Sequence, residues 1–128
     1  MGKSQRVKGA TGEREVLGLL SERLGQKFER NITQSRCGGA DCIDMGRIRL
    51  EVKRQERLLV KDWWEQAQKQ AKDGVPVLAY RQSRKPWTFV LDCADIYLLD
   101  VRGHLIQMDM ETFCLLVEKM KFLETTNG

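Results

Sequence analysis

Four side chains in the first half of the chain have types and spacings suited to hydrolytic chemistry: Glu13, Asp41, Glu51 and Lys53. Asp41 and Glu51 lie equally far from Gly46. A hairpin turning at that glycine pairs such positions and brings the two carboxylates together. Lys53 shares a strand face with Glu51, because alternate residues of a strand point the same way. Two carboxylates at adjacent strand positions suit a hard cation held through oxygen, and Mg²⁺ keeps waters that can serve as nucleophile. Lys53 beside them could orient or deprotonate that water, or stabilise charge developing on a phosphate. An isolated Glu-Val-Lys is also what a solvated strand face looks like, so the surrounding elements decide between the readings.

Residues 47–54 read RIRLEVKR. Ile48, Leu50 and Val52 point one way, and Arg47, Arg49, Glu51 and Lys53 the other, as in a strand with one apolar and one polar face. ADCIDM at 40–45 is the strand expected to pair with it, entered from the SRCGG loop at 35–39. Upstream, residues 9–24 have helical periodicity, with Gly25 as the stop. Glu13 precedes Val16, Leu17, Leu20 and Leu24 at helical spacings and so falls on their apolar stripe. Glu15 points the opposite way. A carboxylate on a buried stripe is costly unless a partner or a metal meets it. The bland alternative is that the first turn overhangs the core and Glu13 stays wet.

The remaining elements follow from pattern. Residues 26–34 suggest a short strand and 60–73 a helix closed by Gly74. PVLAYRQ (76–82) and WTFVLD (87–92) suggest strands around a basic turn. IYLLD and HLIQMD suggest a further hairpin across VRG, and residues 110–123 an amphipathic helix that turns Phe113, Leu116, Val117, Met120 and Leu123 inward. Residues 1–8 read as a basic arm and 124–128 as a polar tail. The expectation is one α/β domain over 1–128, a mixed sheet flanked by helices.

Composition narrows the partners. The 128 residues are 41% hydrophobic and 31% charged, which excludes a disordered chain. No apolar run approaches the roughly 18 residues of a membrane span, and the N-terminus has no apolar signal stretch, so an intracellular location is expected. The net charge of +4 is unevenly spread: residues 1–61 hold 14 Lys and Arg against 8 Asp and Glu, residues 62–128 hold 8 against 10. A basic first half with a few placed carboxylates points to a polyanion. Cys37, Cys42, Cys93, Cys114 and the single His104 lack zinc-site spacing, and reduced cysteines packed as small apolar groups are expected.

Glu13, Asp41, Glu51 and Lys53, in this order and at these spacings, resemble the PD-(D/E)XK nuclease superfamily, and within it the archaeal Holliday junction resolvases and their phage and viral relatives. KGATGEREV (8–16) matches the resolvase opening and puts Glu13 on the family's helix glutamate. Asp41 matches the strand aspartate, although Ala40 stands where a proline is usual, and LEVK supplies Glu51 and Lys53. PVLAYRQSRKPWTFV resembles the later strand, basic turn and aromatic strand, so the likeness spans roughly residues 8–92. The resemblance implies a restriction-endonuclease-like fold and Mg²⁺-dependent DNA hydrolysis, with Mn²⁺ as a substitute. Asp41, Glu51 and the Val52 carbonyl would hold the ion, Glu13 would meet a second ion or its waters, and Lys53 would act on the nucleophile. It implies a homodimer cutting four-way or other branched DNA of recombination and repair.

Lys8, Arg14, Arg30, Ser35, Arg36, Arg49 and Arg54 are the candidate DNA contacts. Gln66 matches an active-site glutamine of some superfamily branches, but sits in a Gln-rich, solvated helix pattern. Asp44 is an alternative ligand that strand alternation turns away from Asp41. Of the adjacent Trp63 and Trp64, one suits the core and the other a subunit interface. Rival readings are a nuclease for another DNA substrate, a non-catalytic DNA-binding relative, and a basic interaction module.

Overall fold

The alternating residues around Gly46 do fold into a hairpin. In the computed structural model of the protein, which describes residues 2–28 and 42–124, β1 (Cys42–Met45) and β2 (Ile48–Arg54) pair antiparallel. Gly46 takes φ +59°, a left-handed value that glycine tolerates best. A β-carbon there would also collide with the carbonyl of Phe122. The turn contains both Gly46 and Arg47, so Met45 faces Ile48 and Cys42 faces Glu51. This corrects the register expected from symmetry about Gly46 alone: the residue opposite Glu51 is Cys42, not Asp41. A two-residue turn has its centre between residues, which shifts every pair by one.

The chain continues through α2 (Val60–Ala71) to β3 (Val75–Arg81), which lies parallel to β2. Then β4 (Thr88–Asp92) and β5 (Leu105–Met108) add antiparallel, giving a five-stranded sheet in the order β1-β2-β3-β4-β5. The helices α1 (Gly2–Leu24) and α3 (Met110–Met120) cover one face. There Val16, Leu17, Leu20, Phe113 and Val117 pack on Ile48, Leu50, Val52, Val77, Ala79, Phe89 and Leu91. Phe113 stacks on Phe89 at 4.3 Å between ring centroids. On the other face α2 sets Trp63, Trp64 and Ala67 against Leu78 and Val90. The result is an α/β protein with a mixed open sheet between helices, consistent with a restriction-endonuclease-like fold. Among the described residues, no helix is long and apolar enough to cross a membrane.

Several expectations change. The backbone is helical from Gly2, so α1 runs through the residues that read as an arm. Of the strand suggested at 26–34, residues 26–28 are irregular, with the Phe28 N–H donating to Ser21 Oγ at 2.9 Å, and the rest lies outside the described residues. IYLLD forms no strand. A short 3-10 turn (Cys93–Ile96) follows β4, and Tyr97 ends it with φ +59°. Asp92, fully buried, fastens this excursion by accepting from the N–H groups of Ala94 (2.9 Å) and Gly103 (2.8 Å). Burial works against the ionised Asp92, but those N–H donors and the nearby Arg102 outweigh it and hold the carboxyl below its ordinary range. Trp63 and Trp64 are both buried, at 4% and 6% exposure, so neither presents the surface expected of one of them for a subunit interface. Cys93 and Cys114 are buried and free, and burial pushes the Cys114 thiol up to about 11.

Candidate active site

The exit of β2 gathers the chemistry. Strand alternation alone would leave Glu51 on a polar face, but α2 closes over that face. Glu51 stands in register with Leu78, beneath the helix, and has no exposed surface. Two residues on, Lys53 is in register with Tyr80, and Trp63 packs against that ring at 5.9 Å. The Lys53 ammonium lies 3.2 Å from Glu51 Oε2, with 17% of its side chain exposed. One carboxylate is thus held out of water while its cation reaches the solvent boundary. In such a place electrostatic interactions are stronger than at the surface.

The backbone adds an oxygen. In a two-residue hairpin the residues flanking the turn bond to each other, and the pattern alternates from there. Ile48, Leu50 and Val52 therefore direct their backbone groups towards β1, and Arg49, Glu51 and Lys53 towards β3. The bonds from Val75 N to Arg47 O (2.8 Å) and from Gln55 N to Arg81 O (3.2 Å) fit that alternation. Since the last described pair of the hairpin is Cys42 with Glu51, the Val52 carbonyl faces the β1 side just beyond it.

Glu13 reaches the same end of β2 from the opposite face of the sheet. It is buried, at 5% exposure, as its place on the apolar stripe of α1 predicts. Gly12 beside it sets the approach: a β-carbon there would stand 3.0 Å from Arg54 Cβ and 3.7 Å from the Trp87 ring. The α1 backbone thus brings Glu13 to the end of β2 that carries Lys53 and Arg54. Asp41 lies outside the described residues. Among the described residues, no three His, Cys, Asp or Glu side chains gather as a metal cluster.

The expected DNA contacts divide. Arg14 is exposed on α1, and Arg54 is half-buried against Gly12. Lys8 lies on the α1 backbone with its side chain outside the described set, as are Arg30, Ser35 and Arg36 entirely. Arg49 is enclosed: its side chain is 4% exposed, 3.4 Å from Asp44 and 3.9 Å from Asp73. It donates to the carbonyls of Gly46 (2.9 Å) and Ile48 (3.2 Å). Such an arginine clamps the hairpin turn to the end of α2, and it is not presented to a polyanion. Its guanidinium also explains Gly74, whose added β-carbon would meet Arg49 Nε at 2.8 Å. We expect Arg49→Met to cost about 2–3 kcal/mol in urea unfolding while the salt dependence of DNA binding stays unchanged. A shallower salt dependence would restore Arg49 to the DNA interface. Asp44, by pairing with Arg49, serves the same clamp. Gln66 is half-buried on the flank of α2.

Glu15 and its partners escaped the sequence reading. Periodicity turns Glu15 away from the core, yet it is half-buried, accepting from Trp87 Nε1 (2.8 Å) and pairing with Arg81 (2.5 Å). These contacts tie α1 to β3 and β4 at the end that carries Lys53 and Arg54. The missed signal lies in long-range pairing, which local periodicity does not report.

Against known proteins, residues 4–127 match the model of a family described as "Phage putative PDDEXK endonuclease". No curated protein and no solved structure matches the chain significantly.

Proposed function

The chain belongs to the phage PDDEXK endonuclease family, and from that premise we propose that it is a Mg²⁺-dependent endonuclease that cuts four-way or other branched DNA as a homodimer. The observation that carries the reading is the pair formed by Glu51, wholly buried, and Lys53, 3.2 Å away at the solvent boundary.

The donors here fit a hard divalent cation. Burying a carboxylate is costly, and positive charge beside it offsets that cost. Glu51 offers carboxylate oxygens and Val52 a carbonyl directed towards the β1 side of the strand end, the oxygen ligands that Mg²⁺ takes. Glu51, the Val52 carbonyl and Asp41 would hold the ion, with Glu13 towards a second ion or its waters. When bound, Mg²⁺, or Mn²⁺ in its place, supplies Lewis acidity at the phosphate and a water of lowered pKa. Lys53, as an ammonium, has three N–H donors and no acceptor. It orients the attacking water or steadies charge on a phosphate oxygen, and Glu51 fixes where that ammonium sits. Tyr80, with Trp63 packed on its ring, stands beside Lys53 on the neighbouring strand.

Branched substrates are supported by the resolvase-like order of Glu13, Asp41, Glu51 and Lys53. A symmetric dimer suits them, since two scissile phosphates call for two sites at a fixed separation. The test offers a labelled four-way junction beside linear duplex, single-stranded and flap DNA, with Mg²⁺ and with EDTA. Paired symmetric nicks in the junction alone, dependent on metal, are expected. Equal cutting of the linear duplex would keep the nuclease and discard the junction preference.

A further inference from the structure

We infer that the turn between β3 and β4, residues 82–86, is a second phosphate-binding element that grips the DNA backbone beside the cleavage site, with Arg84 as its principal contact. This inference rests on the nuclease reading above and names a part of its substrate interface.

Three observations meet in this turn. The first is its position. Because β3 runs parallel to β2, the turn leaves the sheet at the end where Lys53 and Arg54 emerge, and Arg81 is in register with Arg54. Arg54 is three residues beyond Glu51, or about 10 Å along the strand. A DNA strand carries a phosphate at every nucleotide, so the next phosphates fall at about that distance. A strand lying with its scissile phosphate at Glu51 and running towards the turn would present a neighbouring phosphate there.

The second observation is that the turn is built to hold still. Lys85 N–H donates to Gln82 O at 3.1 Å and closes it. Glu56, just beyond β2, accepts from Ser83 N–H on its carboxylate (2.9 Å) and from Gln82 Nε2 on its backbone carbonyl (2.7 Å). At the base, Arg81 and Trp87 are fixed by Glu15. Glu15 thereby occupies Arg81, whereas Arg57, Arg84 and Lys85 are exposed around the turn.

The third observation is the residue chosen at the tip. Arg84 has φ +65° at the third position of the turn, where glycine or asparagine is favoured. Lys72, Tyr97 and Lys121 also have positive φ, but each ends a helix; Tyr97 and Lys121 are left-handed there, a common stop. Arg84 ends no helix. An arginine kept in a conformation that suits glycine better, on an anchored turn with its side chain in solvent, points to use of its charge. A guanidinium is suited to phosphate by its planar fork of donors.

Arg84→Gly separates charge from fold, since glycine relaxes the backbone while removing the guanidinium. Binding to the labelled junction is measured in EDTA over a range of NaCl, so that no cleavage intervenes, for wild type, Arg84→Gly, Arg84→Lys and, as a control, Lys119→Ala on the exposed side of α3. The expected result is an unchanged or higher melting temperature for Arg84→Gly. Its affinity should be about tenfold weaker, and its slope of log affinity against log salt shallower by about one. Arg84→Lys should keep the slope, and Lys119→Ala should match wild type. If Arg84→Gly binds with wild-type affinity and slope while the wild type cuts DNA, this inference fails alone. A wild type that neither binds nor cuts DNA would overturn the nuclease reading together with it.

Discussion

Glu51→Gln is expected to leave the protein folded and able to bind DNA while lowering the rate of strand cleavage by about 10³-fold or more. Glutamine has nearly the volume of glutamate, so the space between β2 and α2 is filled as before. What disappears is a negative charge from a site with no exposure. Desolvating that charge opposes folding, so the variant should be at least as stable as the wild type in urea. The Lys53 ammonium, already partly exposed, turns to solvent. Loss of activity with equal or greater stability is the signature of a group kept for chemistry. An unfolded variant would instead make Glu51 a structural residue.

Lys53→Met is expected to behave differently. It should lower cleavage by about 10²–10⁴-fold, since it removes a donor at the reacting centre. It should also cost about 3 kcal/mol of stability, because the buried Glu51 carboxylate loses the ammonium 3.2 Å away. The double variant Glu51→Gln, Lys53→Met should recover most of that stability and none of the activity. Residues in contact are coupled in this way, and the cycle measures the coupling. If Lys53→Met were as stable as wild type and the two substitutions simply added, the ion pair would carry no weight in the fold.

The sequence revealed the parts whose signal is local. Glu13 is buried because its spacing from Val16, Leu17, Leu20 and Leu24 is that of a helix stripe, and a stripe must face the sheet. The β2 strand was legible because LEVK alternates, and α3 because Phe113 and Val117 recur at helical spacing. Other features depended on partners far along the chain. RLEVKR has a polar face in sequence, yet that face is under α2, which is why Arg49 became a clamp and Glu51 a buried acid. Glu15 was set aside by periodicity and then found Arg81 and Trp87.

Register shows how small a difference matters. Counting outward from Gly46 pairs Asp41 with Glu51, whereas a turn that includes Arg47 pairs Cys42 with Glu51. Which residues a turn includes is set by its backbone and by the neighbouring Phe122, neither of which strand patterning records. The IYLLD segment failed for a similar reason. Its apolar residues suit a strand, but Asp92 draws the chain into a capped turn first.

The most direct measurement is made on protein–DNA complexes formed beforehand in EDTA, at equal DNA occupancy for wild type and Glu51→Gln, with excess Mg²⁺ then added and strand cleavage followed through a single turnover. The wild-type complex is predicted to cut promptly on addition of the metal and not before, and the Glu51→Gln complex to stay intact on that timescale. Cleavage by the wild type in EDTA, or equal rates for the two complexes, would contradict a metal-dependent centre built on Glu51.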